Sequence, residues 1–112
     1  ITGWAKAASD GDPWIQVDLL RAHRVITIAT WGRLGGNEQE QYTKTYTISH
    51  SVNSDVWEVF TENGLEKIFI GNSDGVNRVE NNFSEPIHAR FVRLHPREFY
   101  SYRTLRWDVI VC

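Results

Sequence analysis

The chain has 112 residues, 41% hydrophobic and 23% charged, enough for one domain with one core and too balanced a composition for a disordered chain. Its net charge is −2, and its cations are dispersed: Arg21 with Arg24, Arg90 with Arg93, Arg97, then Arg103 with Arg106. That pattern offers no clustered basic face, so nucleic acid is excluded as the main partner. No apolar run approaches the ~20 residues of a membrane-spanning helix, and the opening "ITGWAKAASDGDPW" is no basic-then-apolar leader, which fits a mature chain or one that begins partway through a larger protein.

The predicted elements follow in chain order. "ASDGDP" is a turn cluster. After it Ile15, Val17 and Leu19 alternate with Trp14, Gln16 and Asp18, the period of a strand with one buried face. "HRVITIAT" is a second strand, dense in β-branched residues. "WGRLGGNEQEQ", with three glycines and a polar tail, is a loop. "YTKTYTISHS" resumes strict alternation and sets a row of hydroxyls against Tyr42, Tyr46 and Ile48. Turns at "VNSD" and "TENG" bracket "VWEVF", and "EKIFI" is a short strand. "GNSDGVNRVENN" is a long polar loop, and "ARFVRLHP" and "TLRWDVIVC" are two last strands around the aromatic loop "REFYSY". Short strands between turn signals, with no helical period and no repeat, predict an all-β sandwich or barrel.

Cys112 is the single cysteine and the last residue, either inert or half of a bridge to a partner outside the chain. Asn82 begins an N-glycosylation triplet, "NFS". Both features point to a secreted context. His23, His50, His88 and His95 show no metal-ligand spacing, and no serine or cysteine stands in a nucleophile context. Asp10, Asp12, Asp74 and Glu80 are too scattered for a calcium loop. The expectation is therefore no enzyme, no metal and no cofactor.

"WIQVDL", "IATWGR", "YTKTYTISHSVNSDVWEVF", "KIFIGNSD", "NNFSEPIHARFVRLHP" and "LRWDVIVC" come in the order and spacing of a discoidin domain, the coagulation factor 5/8 C-type domain. The resemblance spans almost the whole chain, residues 1–112 forming a single domain that lacks the usual N-terminal segment. It implies an antiparallel jelly roll, a distorted β-barrel sandwich of the galactose-binding-domain type. It also implies that Cys112 bridges an upstream cysteine, that Phe99 packs inside, and that Asp18 pairs across the barrel with Arg93 or Arg106. A carboxylate inside a strand is costly unless paired, so Asp18 reads as structural.

In that family, loops at one end of the barrel bind the ligand. The matching positions are 31–41, with Trp31, Arg33, Leu34 and Asn37, and 71–82, with Asn72, Asp74, Asn77 and Arg78; Tyr100 and Tyr102 join them from the aromatic loop. Trp31 is either an exposed stacking face or a core anchor at the strand end. Aromatic, guanidinium and amide groups of this kind stack on sugars, clamp carboxylates or grip a polar protein surface. The expected function is extracellular, non-catalytic recognition of a cell-surface or matrix protein or a glycan in cell adhesion. The alternatives are binding to anionic phospholipid, which Glu38 and Glu40 would oppose, or a spacer role in a larger adhesion protein.

Overall fold

The computed structural model describes residues 2–4, 14–34, 40–100 and 105–112, which contain strands and no helix. The strands are β1 (Thr2–Trp4), β2 (Ile15–Trp31), β3 (Arg33–Leu34), β4 (Glu40–Ser51), β5 (Glu58–Val59), β6 (Thr61–Glu62), β7 (Leu65–Glu66), β8 (Phe69–Ile70), β9 (Val79–Tyr100) and β10 (Arg106–Val111). All pairings are antiparallel; the main sheet runs β1-β10-β2-β9-β4-β3, with β5 and β8 added to β4 and β6–β7 a separate hairpin. The fold is the expected antiparallel jelly roll.

Two long strands turn corners, and those corners give the molecule its two poles. β9 begins with Val79 opposite Thr30 and ends with Tyr100 opposite Tyr42. Both of its ends therefore lie where β2 finishes and β4 and β10 begin. Midway, Phe83–Pro86 stand against the single residue Ile26, between the pairs Thr27↔Asn82 and Val25↔Ile87; Pro86 has no N–H to give a ladder. β2 makes the matching bend, with Leu19–Ala22 opposing Arg90 alone. Bulges of this kind bend strands around barrel corners. The bends, the 52–56 turn and Cys112, whose N–H donates to Arg24 O at 2.9 Å, mark the far pole.

The alternation in the sequence holds. Val17 and Leu19 are core, joined by Ile15, whereas Gln16 and Asp18 face out. The core is rich in aromatics: Phe60, Phe69 and Phe83 meet edge-on or tilted at 4.8–5.8 Å, Tyr46 stacks on Phe69 at 5.2 Å, and Trp107 closes the floor. Burial pushes the Tyr46 phenol well above its ordinary range while Asn81 Nδ2 donates to its oxygen at 3.2 Å. Gly64 (φ 79°) and Asn63 (φ 55°) supply the left-handed pair that the tight β6–β7 turn demands.

Three expectations are corrected. "REFYSY" begins as strand, since β9 continues to Tyr100; 101–104 lie outside the described residues. The loop expected over 71–82 ends at Arg78, because Val79–Asn82 pair with Thr27–Thr30. Phe99, opposite Thr43, is exposed rather than packed inside. The hydroxyl face of β4 is buried too, because β9 side chains reach over it: Thr45 donates to Glu98 Oε1 at 3.0 Å and Ser49 Oγ shares a 2.7 Å hydrogen bond with His95.

Candidate functional site

The site grows from close backbone packing at the pole where β2 ends. A side chain on Gly32 would place its Cβ 2.3 Å from Gln41 O and 2.8 Å from Tyr42 Cβ, and one on Gly75 would sit 2.7 Å from Arg33 O. Glycine is required so that the 71–78 loop can lie directly against the β2–β4 crossing. Asn72 is the clasp. It is buried, its Nδ2 donates to Thr30 O at 3.0 Å and to Asn77 O at 2.8 Å, and its N–H donates to Thr43 O at 2.9 Å. Asp74 shapes the tip by accepting from the N–H groups of Val76 (2.9 Å) and Asn77 (2.7 Å) and from Asn77 Nδ2 (2.7 Å). Those three bonds hold its carboxyl below the usual carboxylate range.

On this platform the register builds a row. Arg106 lies opposite Trp31, and the neighbouring pair Thr30↔Val79 brings Arg78 to the other flank. Both guanidiniums lie over the indole, Arg78 at 5.3 Å and Arg106 at 5.4 Å from its centroid, within cation–π range. Arg78 also reaches Glu80 at 3.2 Å and Asp108 at 3.7 Å. Trp31 is half-buried, so it is a rim residue held between cations and not a sealed core anchor. At the same pole Tyr100, about half exposed, stacks on buried Tyr42 with centroids 5.3 Å apart. Arg33 is exposed on β3.

The structure thus brings Trp31, Arg33, Arg78 and Tyr100 to one pole. Asn72, Asp74 and Asn77 share it as the internal brace of their loop. Leu34 is described by its backbone pairing with Glu40; Asn37 and Tyr102 lie outside the described residues. Arg106, expected as a structural partner of Asp18, belongs to this pole instead. The signal lay in its cross-strand relation to Trp31, which requires the β2–β10 register.

The pairing expected for Asp18 is corrected. Its carboxylate takes a bidentate clamp from Arg90, Nε–Oδ1 2.8 Å and Nη2–Oδ2 2.9 Å, and accepts the Leu20 N–H at 2.8 Å. Leu20 sits at φ 73°, so Asp18 staples the strained corner of β2. Arg90, then the Leu20 N–H, hold the carboxyl below its ordinary range. Both partners are over a third exposed, so this is a surface staple and no buried ion pair. Arg93 instead lies between Trp14 (3.9 Å) and Trp57 (3.7 Å) and donates to Gln16 Oε1 at 2.9 Å. Asn82, on β9, accepts from Thr27 Oγ1 at 2.7 Å, and Cys112 is exposed with a free thiol. Among the described residues no group of three His, Cys, Asp or Glu side chains converges as metal ligands, and no helix is long and apolar enough to cross a membrane.

The F5/8 type C domain family model matches residues 1–109. The chain belongs to the F5/8 type C domain family. Among its relatives is the mouse EGF-like repeat and discoidin I-like domain-containing protein 3, 36% identical over 116 residues, covering 100% of this chain and 24% of that protein. Dog coagulation factor VIII is 35% identical over 109 residues, covering 97% of this chain and 5% of the factor. Rat lactadherin is 33% identical over 112 residues, with 100% of this chain and 26% of lactadherin covered. The F5/8 type C domain thus spans about a quarter or less of these relatives. In solved structures it superposes on recombinant discoidin II of Dictyostelium discoideum with a TM-score of 0.80 at 23% identity, over 94% of this chain and 39% of that one. A CBM32 module from a Clostridium perfringens family 31 glycoside hydrolase gives 0.70 at 17%, over 96% and 75%. Both likenesses concern the fold.

Proposed function

We propose that this F5/8 type C domain is a non-catalytic extracellular recognition module for a cell-surface or matrix protein or a glycan, with Trp31, Arg33, Arg78, Arg106 and Tyr100 as its contact surface. The observation that carries the reading is the Arg78–Trp31–Arg106 row beside exposed Arg33 and Tyr100, raised on loops that glycine contacts and Asn72 hold in place. A surface of fixed cations and aromatic faces suits sugars and carboxylate-bearing partners, because stacking and bidentate hydrogen bonds lose little side-chain entropy on binding. The structural neighbours include a carbohydrate-binding module from Streptococcus pneumoniae EndoD, TM-score 0.62 at 14% identity, which agrees with a sugar ligand at the level of the fold.

A panel of immobilised glycans and collagens tests the reading. Discrete hits are expected, weakened about tenfold or more in Arg33→Ala and abolished in Trp31→Ala, with circular dichroism confirming that both variants fold. Sedimentation with phosphatidylserine vesicles probes the phospholipid alternative. Salt-sensitive binding lost in Leu34→Ser, with a blank panel, would replace the proposal with a membrane role; silence in every arm would leave a spacer domain.

A further inference from the structure

The far pole carries a concavity. Where β9 bulges away from β2 at Phe83–Pro86 and β5 closes over the end of β4, a groove of about 440 Å³ opens between them, within the size range of ligand sites. Its base is apolar, with Phe60 and Ile87 buried, and its rim exposes Val52, Val56 and Val59. Two carboxylates, Glu58 and Glu85, line it from opposite walls. Neither enters an ion pair among the described residues, whereas nearby Glu62 is engaged by Ser84 and by Lys67 at 3.0 Å.

Among the described residues no lysine or arginine lines the groove, and the other ionisable side chains in its lining are His50 and His88. With imidazoles counted as neutral at pH 7, its lining is acidic. Burial holds the His50 pKa below the ordinary imidazole range against the opposing pull of Glu58, which keeps that ring from cancelling the carboxylates. Among the described residues β5, part of the wall, pairs with β4 alone, leaving the edge of β5 for an added strand. Three exposed valines beside two unpaired glutamates are unusual company for a surface that meets only water.

The geometry points to a second binding site here, for an extended segment of a partner protein that alternates aliphatic residues with arginine or lysine. The valines, Pro86 and Ile87 would receive the aliphatic side chains, and Glu58 and Glu85 the cations. It is independent of the Trp31 pole and can be occupied or empty whatever binds there.

The test is an NMR titration of the 15N-labelled chain with acetyl-Val-Arg-Val-Arg-Val-amide, with acetyl-Val-Gln-Val-Gln-Val-amide and methylguanidinium as comparisons. Shifts are expected at 50–61 and 85–88 and not at Trp31 or Arg33. Affinity for the arginine peptide should exceed that for the glutamine peptide by about tenfold, fall with added salt, and drop about tenfold in the Glu58→Gln/Glu85→Gln double variant. Val56→Lys, on the exposed rim, should block the peptide by like charge, so the site stays testable if the double variant folds poorly. No shift up to about 1 mM, a weak limit for a specific contact, equal binding of the glutamine peptide, or indifference to both variants would overturn the site. Shifts with methylguanidinium that the peptide does not exceed would overturn the peptide assignment.

Discussion

Replacing Asn72 by alanine should unfasten the 71–78 loop from the barrel. The side-chain amide fastens two carbonyls, Thr30 O in a buried position and Asn77 O in a partly buried one. Losing the buried bond leaves an acceptor without a partner, at a cost of about 1–3 kcal/mol, and the second bond contributes about 0.5–1.5 kcal/mol. The sum, about 1.5–4.5 kcal/mol, corresponds to a fall in Tm on the order of 10–20 °C for a domain of this size. Thermal unfolding by circular dichroism reads this directly, and amide exchange should quicken at 71–78 before it does in β9. Asn77→Ala is the control: it loses an exposed side-chain bond to Asp74 and keeps the backbone carbonyl, so Tm should move by less than about 3 °C. An Asn72→Ala protein that melts within about 3 °C of the parent would show that the clasp contributes little and that the loops are fixed by other means.

Gly75→Ala puts a Cβ 2.7 Å from Arg33 O, a backbone clash that should cost about 1–3 kcal/mol, read by urea unfolding; an unchanged midpoint would mean that the two loops do not touch in solution. Arg93→Ala removes the cation between Trp14 and Trp57 and should destabilise by about 1–2 kcal/mol from two cation–π contacts, with a change in tryptophan fluorescence; unaltered emission would contradict the stack. Acid should weaken the fold in a defined window. The carboxyls of Asp18, Glu62 and Asp74 are depressed in the folded state, so their stabilisation is full above the ordinary values of 3.8 for the aspartates and 4.5 for the glutamate and is lost as pH falls through the lower folded values. His50 is depressed too, which adds a loss beginning as pH drops below the imidazole value of 6.5. Asp18→Asn should flatten the acid limb of a Tm-against-pH curve, and His50→Gln the limb that begins below pH 6.5; parallel curves for variant and parent would refute those assignments.

Much of the scaffold was legible because alternation is a local signal. Ile15–Leu19 and Tyr42–Ser51 show their period within a few residues, and Asn63–Gly64 announces its own turn. What escaped depends on register between distant segments. The resemblance and their place in late strands make Arg93 or Arg106 the expected partner of Asp18; the bulge that places four β2 residues against Arg90, which gives Asp18 its partner, is not visible in any one stretch. The row of Arg106, Trp31 and Arg78 needs two cross-strand registers at once, and no single stretch contains it. The burial of the threonine face of β4 was equally hidden, since it follows from His95 and Glu98 arriving from β9. The loop expected over 71–82 is four residues shorter, and its polar residues, expected as ligand contacts, brace it: Asn72 bonds Thr30, Thr43 and Asn77, and Asp74 bonds the loop tip.

The most direct measurement is a comparison of the two poles on the panel of glycans and collagens, with Arg33→Ala set beside Arg24→Ala, an exposed cation at the far pole. Loss of signal in Arg33→Ala with Arg24→Ala matching the parent is the predicted result. Signal retained in Arg33→Ala and lost in Arg24→Ala would place recognition at the wrong end of the barrel and contradict the account.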